Sequence, residues 1–278
     1  MGIFEKRETN GVTWLSCRPF ETVEGIVQGF STRLGGVSEG YLSSMNLSFS
    51  RGDKEENVRE NFCRIGKAIG FSPEDLVFSQ QTHTTNVRVV EESDRGKGFA
   101  RPLDYTDVDG LVTNVPGIVL ATFYADCVPL YFVDPVKRAI GLSHSGWRGT
   151  VHKMGKVTVQ TMADCYGSRP EHILAAIGPS ICQSCYEVSE DVIEEFRENY
   201  REEYWDSLYI RKENGKYQLN LWRANEIVME EAGILPEHIY TTDMCTCCNP
   251  KLLYSHRASA GKRGNLAAFL GILPERKQ

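Results

Sequence analysis

The sequence predicts an α/β fold, with mixed β-sheets sandwiched by helices in a single domain. Short apolar runs broken by turn residues crowd the middle of the chain, at 109–113, 118–124, 130–133 and 139–143, as strands buried on both faces do. Segments with apolar residues at helical spacing lie before and after them. The 278 residues contain no internal repeat, low-complexity tract or Pro/Ser-rich linker, so 1–278 reads as one catalytic domain.

Residues 12–50 suit strands and turns, with 25–31 extended and Arg33-Leu34-Gly35-Gly36-Val37-Ser38 a glycine-containing loop. A helix is expected from Asp53 to Gly70, because Val58, Phe62, Ile65 and Ile69 recur along one face. Leu76–Gln81 and Val87–Val90 read as strands flanking Thr82-His83-Thr84. A further helix is expected over Thr150–Tyr166, stopped by Gly167, and two more over Ser189–Tyr200 and Leu221–Ala232.

Composition is 41% hydrophobic and 24% charged, and the net charge is −6. There is no bulk attraction to nucleic acid or to an anionic membrane, so a small-molecule substrate is expected. The polar N-terminus lacks the apolar core of a secretory signal. The longest apolar run, Ile118–Val133, is interrupted by Asp126 and Pro129 and is too short to span a bilayer comfortably. Nine cysteines, an odd number, point to a reducing, cytoplasmic setting.

Four segments carry candidate chemistry. His144-Ser145-Gly146-Trp147-Arg148-Gly149-Thr150 joins a strand to a helix. Its helix N-terminus, Arg148 and two glycines suit an anion; the same residues also suit a tight turn with a surface arginine. Ala125-Asp126-Cys127-Val128-Pro129 ends a long apolar strand. Cys127 there is either an inert buried thiol or a thiolate ligand or nucleophile. Gln81-Thr82-His83-Thr84 offers an imidazole at a strand end, with no HxxxH spacing to prove a ligand. Finally, Cys182/Cys185 form a CxxC, and Cys245, Cys247 and Cys248 a tight C-x-C-C triple. A closed structural zinc site or a redox pair is one reading of these thiols. Because the triple reads C-x-C-C with no paired-knuckle pattern around it, buried or substrate-proximal thiols are the commoner outcome.

Taken together, the motifs resemble the YfiH/YlmD family, the laccase-like multicopper polyphenol oxidases, and most of all its bacterial YlmD-type members. The resemblance rests on Ser31-Thr32-Arg33 with 35–38, Asn46-Leu47, Gln81-Thr82-His83, Asp109-Gly110, 125–129, 144–149, Gly178-Pro179 with Tyr186-Glu187-Val188, Cys245-Thr246 and Ser255-His256-Arg257. It implies a catalytic zinc, with copper as the alternative ion, held by His83, Cys127 and His144. Such a His₂Cys set leaves a fourth position open.

The resemblance further implies phosphorolysis of purine nucleosides (inosine, guanosine, adenosine, methylthioadenosine) to base and sugar 1-phosphate, with adenosine deamination alongside. Purine nucleoside and phosphate are then the partners. Arg148 is the first candidate for phosphate and Arg33 the second, with Asn46 and His256 as further substrate contacts. His256–Arg257 is also compatible with a homodimer interface. Asp126 is open between a general acid/base, a residue that orients a ligand, and the cap of a turn. Two other mechanisms compete. One is a copper polyphenol oxidase, for which six histidines are few. The other is a metal-free hydrolase with Cys127 as nucleophile and His144 as base.

Overall fold

The computed structural model describes residues 2–274. Two six-stranded sheets face each other. The first has the order β1 (Phe4–Thr9), β2 (Val12–Cys17), β3 (Ile26–Ser31), β15 (Leu266–Ile272), β7 (Val119–Tyr124) and β4 (Leu76–Phe78). The second runs β14 (Ile239–Thr241), β10 (Leu174–Ile177), β8 (Val128–Asp134), β9 (Ala139–Ser145), β6 (Gly110–Thr113) and β5 (Val87–Val89). Both are mixed: β4 pairs parallel to β7, β14 to β10 and β5 to β6, while the interior pairings are antiparallel. A small third sheet joins β11 (Glu187–Val188), β12 (Tyr209–Arg211) and β13 (Tyr217–Leu219).

The alternation of side chains along each strand explains the continuous apolar runs. In β8, Tyr131 and Val133 point into the core between the sheets, whereas Val128, Leu130 and Phe132 point to the opposite face. In β15, Leu266, Ala268, Leu270 and Ile272 face the inter-sheet core, and Ala267 and Phe269 the other side. Helices cover those outer faces. α2 (Glu55–Ile69) lays Val58, Phe62 and Ile65 against the first sheet, and α4 (Met154–Tyr166) and α7 (Leu221–Glu231) pack on the second. α5 (Glu190–Asn199) joins that second layer through Val192, Ile193 and Phe196. Short helices α1 (Arg18–Glu21), α3 (Trp147–Val151), α6 (Trp205–Leu208) and α8 (His256–Ser259) complete the chain. The α/β class with mixed sheets between helices is therefore observed. Among the described residues, no helix is long and apolar enough to cross a membrane.

The structure differs from the sequence reading at four elements. The helix expected from Thr150 is two helices, because Lys153 adopts a left-handed conformation at φ 63°. Its ammonium rests 3.3 Å from the Tyr200 ring centroid, and the apolar spacing runs through the break unchanged. The strand expected over Leu76–Gln81 ends at Phe78, and Gln80 makes only an isolated bridge to Val108. The strand read from Ala139 to Ser143 continues through His144 and Ser145. β15, absent from the sequence reading, lies between β3 and β7 near the centre of its sheet.

Phe62 connects this frame to the site. It is fully buried, with ring centroids of Phe49, Phe78, Phe99 and Phe123 at 5.9, 5.1, 5.5 and 6.4 Å. Phe62→Ala is expected to cost about 3–5 kcal/mol in urea unfolding. A loss below about 1 kcal/mol would show that α2 is not anchored through this ring.

Candidate metal centre

The chain passes from the first sheet to the second at two places that meet. The segment after β4 carries His83 toward β5, and the turn 125–127 carries Cys127 from β7 into β8. His144 stands beside them on β9, opposite Pro129 in the β8–β9 register. The ligand atoms of His83, Cys127 and His144 lie within 4.8 Å of one another. The His83 and His144 rings are 4.9 Å apart between centroids and inclined by 70°.

Asp109 sets this arrangement. Its carboxylate is fully buried and accepts hydrogen bonds from the backbone N–H groups of Thr82 (2.9 Å), His83 (3.2 Å) and Thr84 (3.0 Å). It also lies 2.8 Å from His144 Nδ1, which leaves Nε2 of that ring for Cys127 or an ion. Burial opposes its ionisation, but His144 and the amides of Thr82 and Thr84 outweigh burial and hold Asp109 below the usual carboxylate range. Gln81 adds a second tie: its amide donates to Phe123 O at 2.8 Å, and its oxygen accepts from Phe123 N at 2.7 Å. The loop is thereby zipped to the end of β7.

Electrostatics favour a cation among the three side chains. Burial, then the neighbouring His144 and Arg148, depress His83, so its ring is held neutral. Burial also disfavours the His144 imidazolium, but the Cys127 charge and the Asp109 hydrogen bond win and raise it to about 9. In the absence of an ion these neighbours favour a proton on His144. The backbone is equally specific: His83 and Asp126 both take positive φ, 67° and 91°, unusual for residues with a Cβ. A Cβ on Gly146 would sit 2.8 Å from His83 Nδ1 and 3.3 Å from Cys127 Sγ. Gly146 thus makes room for the cluster, whereas Gly149 has no such close neighbour.

The three side chains open into a cleft of about 380 Å³ lined also by Phe49, Phe78, Phe123, Tyr124, Arg51 and Arg263. Arg263 is nearly buried, its Nε has no hydrogen-bond partner among the described residues, and burial and the Arg51 charge lower it to about 10. Neither arginine stood out in the sequence, since each lies in a loop without local pattern. A larger cleft of about 470 Å³, beside Lys67, Phe71 and Asp75, gathers no cluster of ligating groups.

The other sequence candidates are placed differently. Arg33 does not line the cleft: Nε and Nη2 donate to Ser43 O and Nη1 to Pro250 O, with the guanidinium 4.7 Å over the Tyr254 ring. Asn46 is fully buried; its amide donates to Ser48 O and Asp53, and its oxygen accepts from Asn265 N. Its hydrogen bonds hold 46–53 and 265 together beside the cleft. His256 is exposed at the start of α8, outside the cleft lining. Arg148 is exposed, 4.2 Å over the Trp147 ring, in a helix of only five residues. Asp126 is buried, with one oxygen accepting from Thr246 Oγ1 at 2.6 Å and the other from Arg257 N at 2.7 Å. Both are committed, which suits positioning of the Cys127 turn better than proton transfer.

The family model described as multi-copper polyphenol oxidoreductase laccase matches residues 27–273. The chain belongs to that family. A Bacillus subtilis (strain 168) relative named purine nucleoside phosphorylase YlmD is 36% identical over 89% of this chain and 88% of its own length. Adenosine deaminase RL5, from an unknown prokaryotic organism, is 34% identical over 91% of this chain and 95% of its own. The crystal structure of YlmD from Geobacillus stearothermophilus has a TM-score of 0.90 at 36% identity, covering 99% of this chain and 100% of that one. The YfiH/YlmD membership and the α/β fold expected from the motifs are both seen.

Asp109→Asn removes the anionic acceptor that orients His144, and Gly146→Ala pushes a methyl into His83. Each is expected to weaken zinc binding by about 10–100-fold in a chelator competition assay, and unchanged affinity in both would remove Asp109 and Gly146 from the account. An ion bound at the three side chains would displace the His144 proton, so added zinc should bind more tightly as pH rises toward about 9. Titration calorimetry in buffers of different ionisation enthalpy reads that proton; binding that releases none would contradict the assignment.

Proposed function

We propose that this protein is a zinc-dependent purine nucleoside phosphorylase with accompanying adenosine deamination. Inosine, guanosine, adenosine and methylthioadenosine are its substrate class, and 1–278 acts as one catalytic domain. The observation that carries the reading is one cleft containing His83, Cys127 and His144 together with Arg51, Arg263 and aromatic walls. The names of the relatives, purine nucleoside phosphorylase and adenosine deaminase, agree with it.

The donor set fits zinc: two imidazoles and a thiolate, with the Asp109 carboxylate behind one ring, are a borderline-soft tetrahedral set with a free position. When bound, the ion supplies a Lewis acid facing the cleft. In phosphorolysis a phosphate oxygen bonds to the anomeric carbon as the C–N bond breaks, and the purine leaves with the bond's electron pair and takes up a proton. Arg263, with Arg51 beside it, offers the cationic seat for phosphate. Its unpartnered Nε is the reason to place it ahead of Arg148 and Arg33. Phe49 and Phe123 offer flat apolar surfaces for a purine. The resulting seat orders two reactants before any bond changes.

Two features bear on the competing mechanisms. Copper suits the same three ligands, but a multicopper centre needs further imidazoles. The remaining histidines, His152, His172, His238 and His256, lie outside the cluster. The Cys127–His144–Asp109 line also has the form of a nucleophile, base and orienting carboxylate. His83, which that arrangement does not require, favours the metal.

Chromatography of inosine incubated with zinc-loaded protein tests the reading. Hypoxanthine is expected only with phosphate, to vanish in Cys127→Ala, and to require at least about tenfold more phosphate in Arg263→Gln. Base release without phosphate, or none under either condition, would overturn it. Activity that survives chelation and is blocked by alkylation of Cys127 would select the thiol mechanism.

A further inference from the structure

All nine cysteines are free thiols, and Cys127 is the only one in the cleft cluster. Four others form a second group whose two halves are 60 or more residues apart in sequence. The sulfurs of Cys182, Cys185, Cys245 and Cys248 all lie within 4.8 Å of one another. Sequence spacing concealed this: read as C-x-C-C, the triple 245–248 hides a second CxxC, formed by Cys245 and Cys248 with Cys247 inside it. Parallel pairing of β10 with β14 makes the two loops neighbours, since both leave the same end of adjacent strands. A bridge between Ser180 and Cys245 continues that pairing into the loops.

We propose that Cys182, Cys185, Cys245 and Cys248 bind a structural zinc ion, separate from the His83–Cys127–His144 centre. Four sulfurs at about 2.3 Å from a tetrahedral zinc are separated by about 3.8 Å. Cys185 and Cys248 sulfurs are 3.4 Å apart, and those of Cys182 and Cys248 are 3.9 Å apart. The surroundings suit thiolates. The backbone N–H groups of Cys182 and Cys248 point at the Cys245 sulfur from 3.2 and 3.4 Å, and the Ser184 hydroxyl lies 3.1 Å from Cys182 Sγ. Such N–H···S contacts spread the charge of sulfur ligands. Cys248 is exposed and gives an ion access. Soft four-sulfur coordination selects zinc over the harder divalent ions, and four protein ligands leave no open position, so the role is structural.

The ion joins loops that support the catalytic turn. Thr246, inside the second pair, donates to Asp126, as does the backbone N–H of Arg257. The Arg257 guanidinium donates in turn to the carbonyls of Cys185 and Glu187. Fixing 182–185 to 245–248 therefore fixes both donors to the residue that precedes Cys127.

The test uses the full chain carrying Cys127→Ala, so that the cleft centre contributes no metal, purified under reducing conditions from zinc-supplemented cells. Elemental analysis should find one zinc per chain. X-ray absorption should show four sulfur ligands at about 2.3 Å. Adding Cys185→Ser and Cys248→Ser should abolish that zinc and lower the melting temperature, while Cys63→Ser in the exposed face of α2 should change neither. Should the triple variant not fold, cobalt(II) added to metal-free Cys127→Ala chain provides the second measurement, with the intense visible bands of tetrahedral thiolate coordination expected. No retained zinc, zinc with nitrogen or oxygen ligands, iron in its place, or a non-reducing mass showing disulfides among these four residues would each overturn the proposal. Because the cleft ligand is absent throughout, failure of this site leaves the phosphorylase reading standing, and the reverse also holds.

Discussion

Asp109 is fully buried between the loop that carries His83 and the strand that carries His144, and it stays charged there. A carboxylate out of water is costly unless its oxygens are satisfied, and this one collects three backbone amides, a hydroxyl and an imidazole. Meeting that requirement folds 82–84 tightly around the carboxylate, puts His83 at positive φ, and fixes which nitrogen of His144 faces Cys127. The same bonds tie a loop leaving the first sheet to a strand of the second. The double-sheet core supplies the rigid frame, and the site lies where the chain crosses between its layers.

Around that anion the other pieces fall into balance. Cys127 and Asp109 raise His144, burial and His144 lower His83, and Gly146 has no side chain to intrude. On the open side, Arg51 and Arg263 line the same cleft, and among the described residues no carboxylate is bonded to Arg263. A pocket with such an excess of fixed positive charge is suited to an anionic reactant, even though the protein as a whole is acidic. The net charge of the chain carries no information about the local field.

Much of the architecture was legible because burial leaves a mark on sequence. Strands covered on both faces read as unbroken apolar runs, and α2 showed its face through Val58, Phe62, Ile65 and Ile69. β15 went unnoticed although Leu266–Ile272 is equally apolar, since nothing local says that the last strand returns to the middle of a sheet. The break at Lys153 was invisible for a similar reason: apolar spacing resumes in phase after it. The three clustered residues were recognisable from motifs spread over the chain, not from spacing, because only the two sheet crossings bring them together. Asp109 stood in one of those motifs without a role, since its function is to collect hydrogen bonds from residues more than twenty positions away. Arg33 and Asn46 sit in equally conspicuous motifs and are bonded within the fold outside the cleft lining, while Arg263 and Arg51 line the cleft and sit in no motif. A motif reports that a residue is constrained and leaves open whether a ligand or the fold constrains it.

The central claim is that His83, Cys127 and His144 form an open three-ligand metal centre beside Arg263. Anomalous diffraction at the zinc edge, from crystals of zinc-loaded protein grown with phosphate, addresses it most directly. The account expects a peak bonded to the Cys127 sulfur and to one nitrogen of each imidazole, with His144 Nδ1 still on Asp109. A map with no peak there, and His144 hydrogen-bonded to Cys127 in its place, would contradict it.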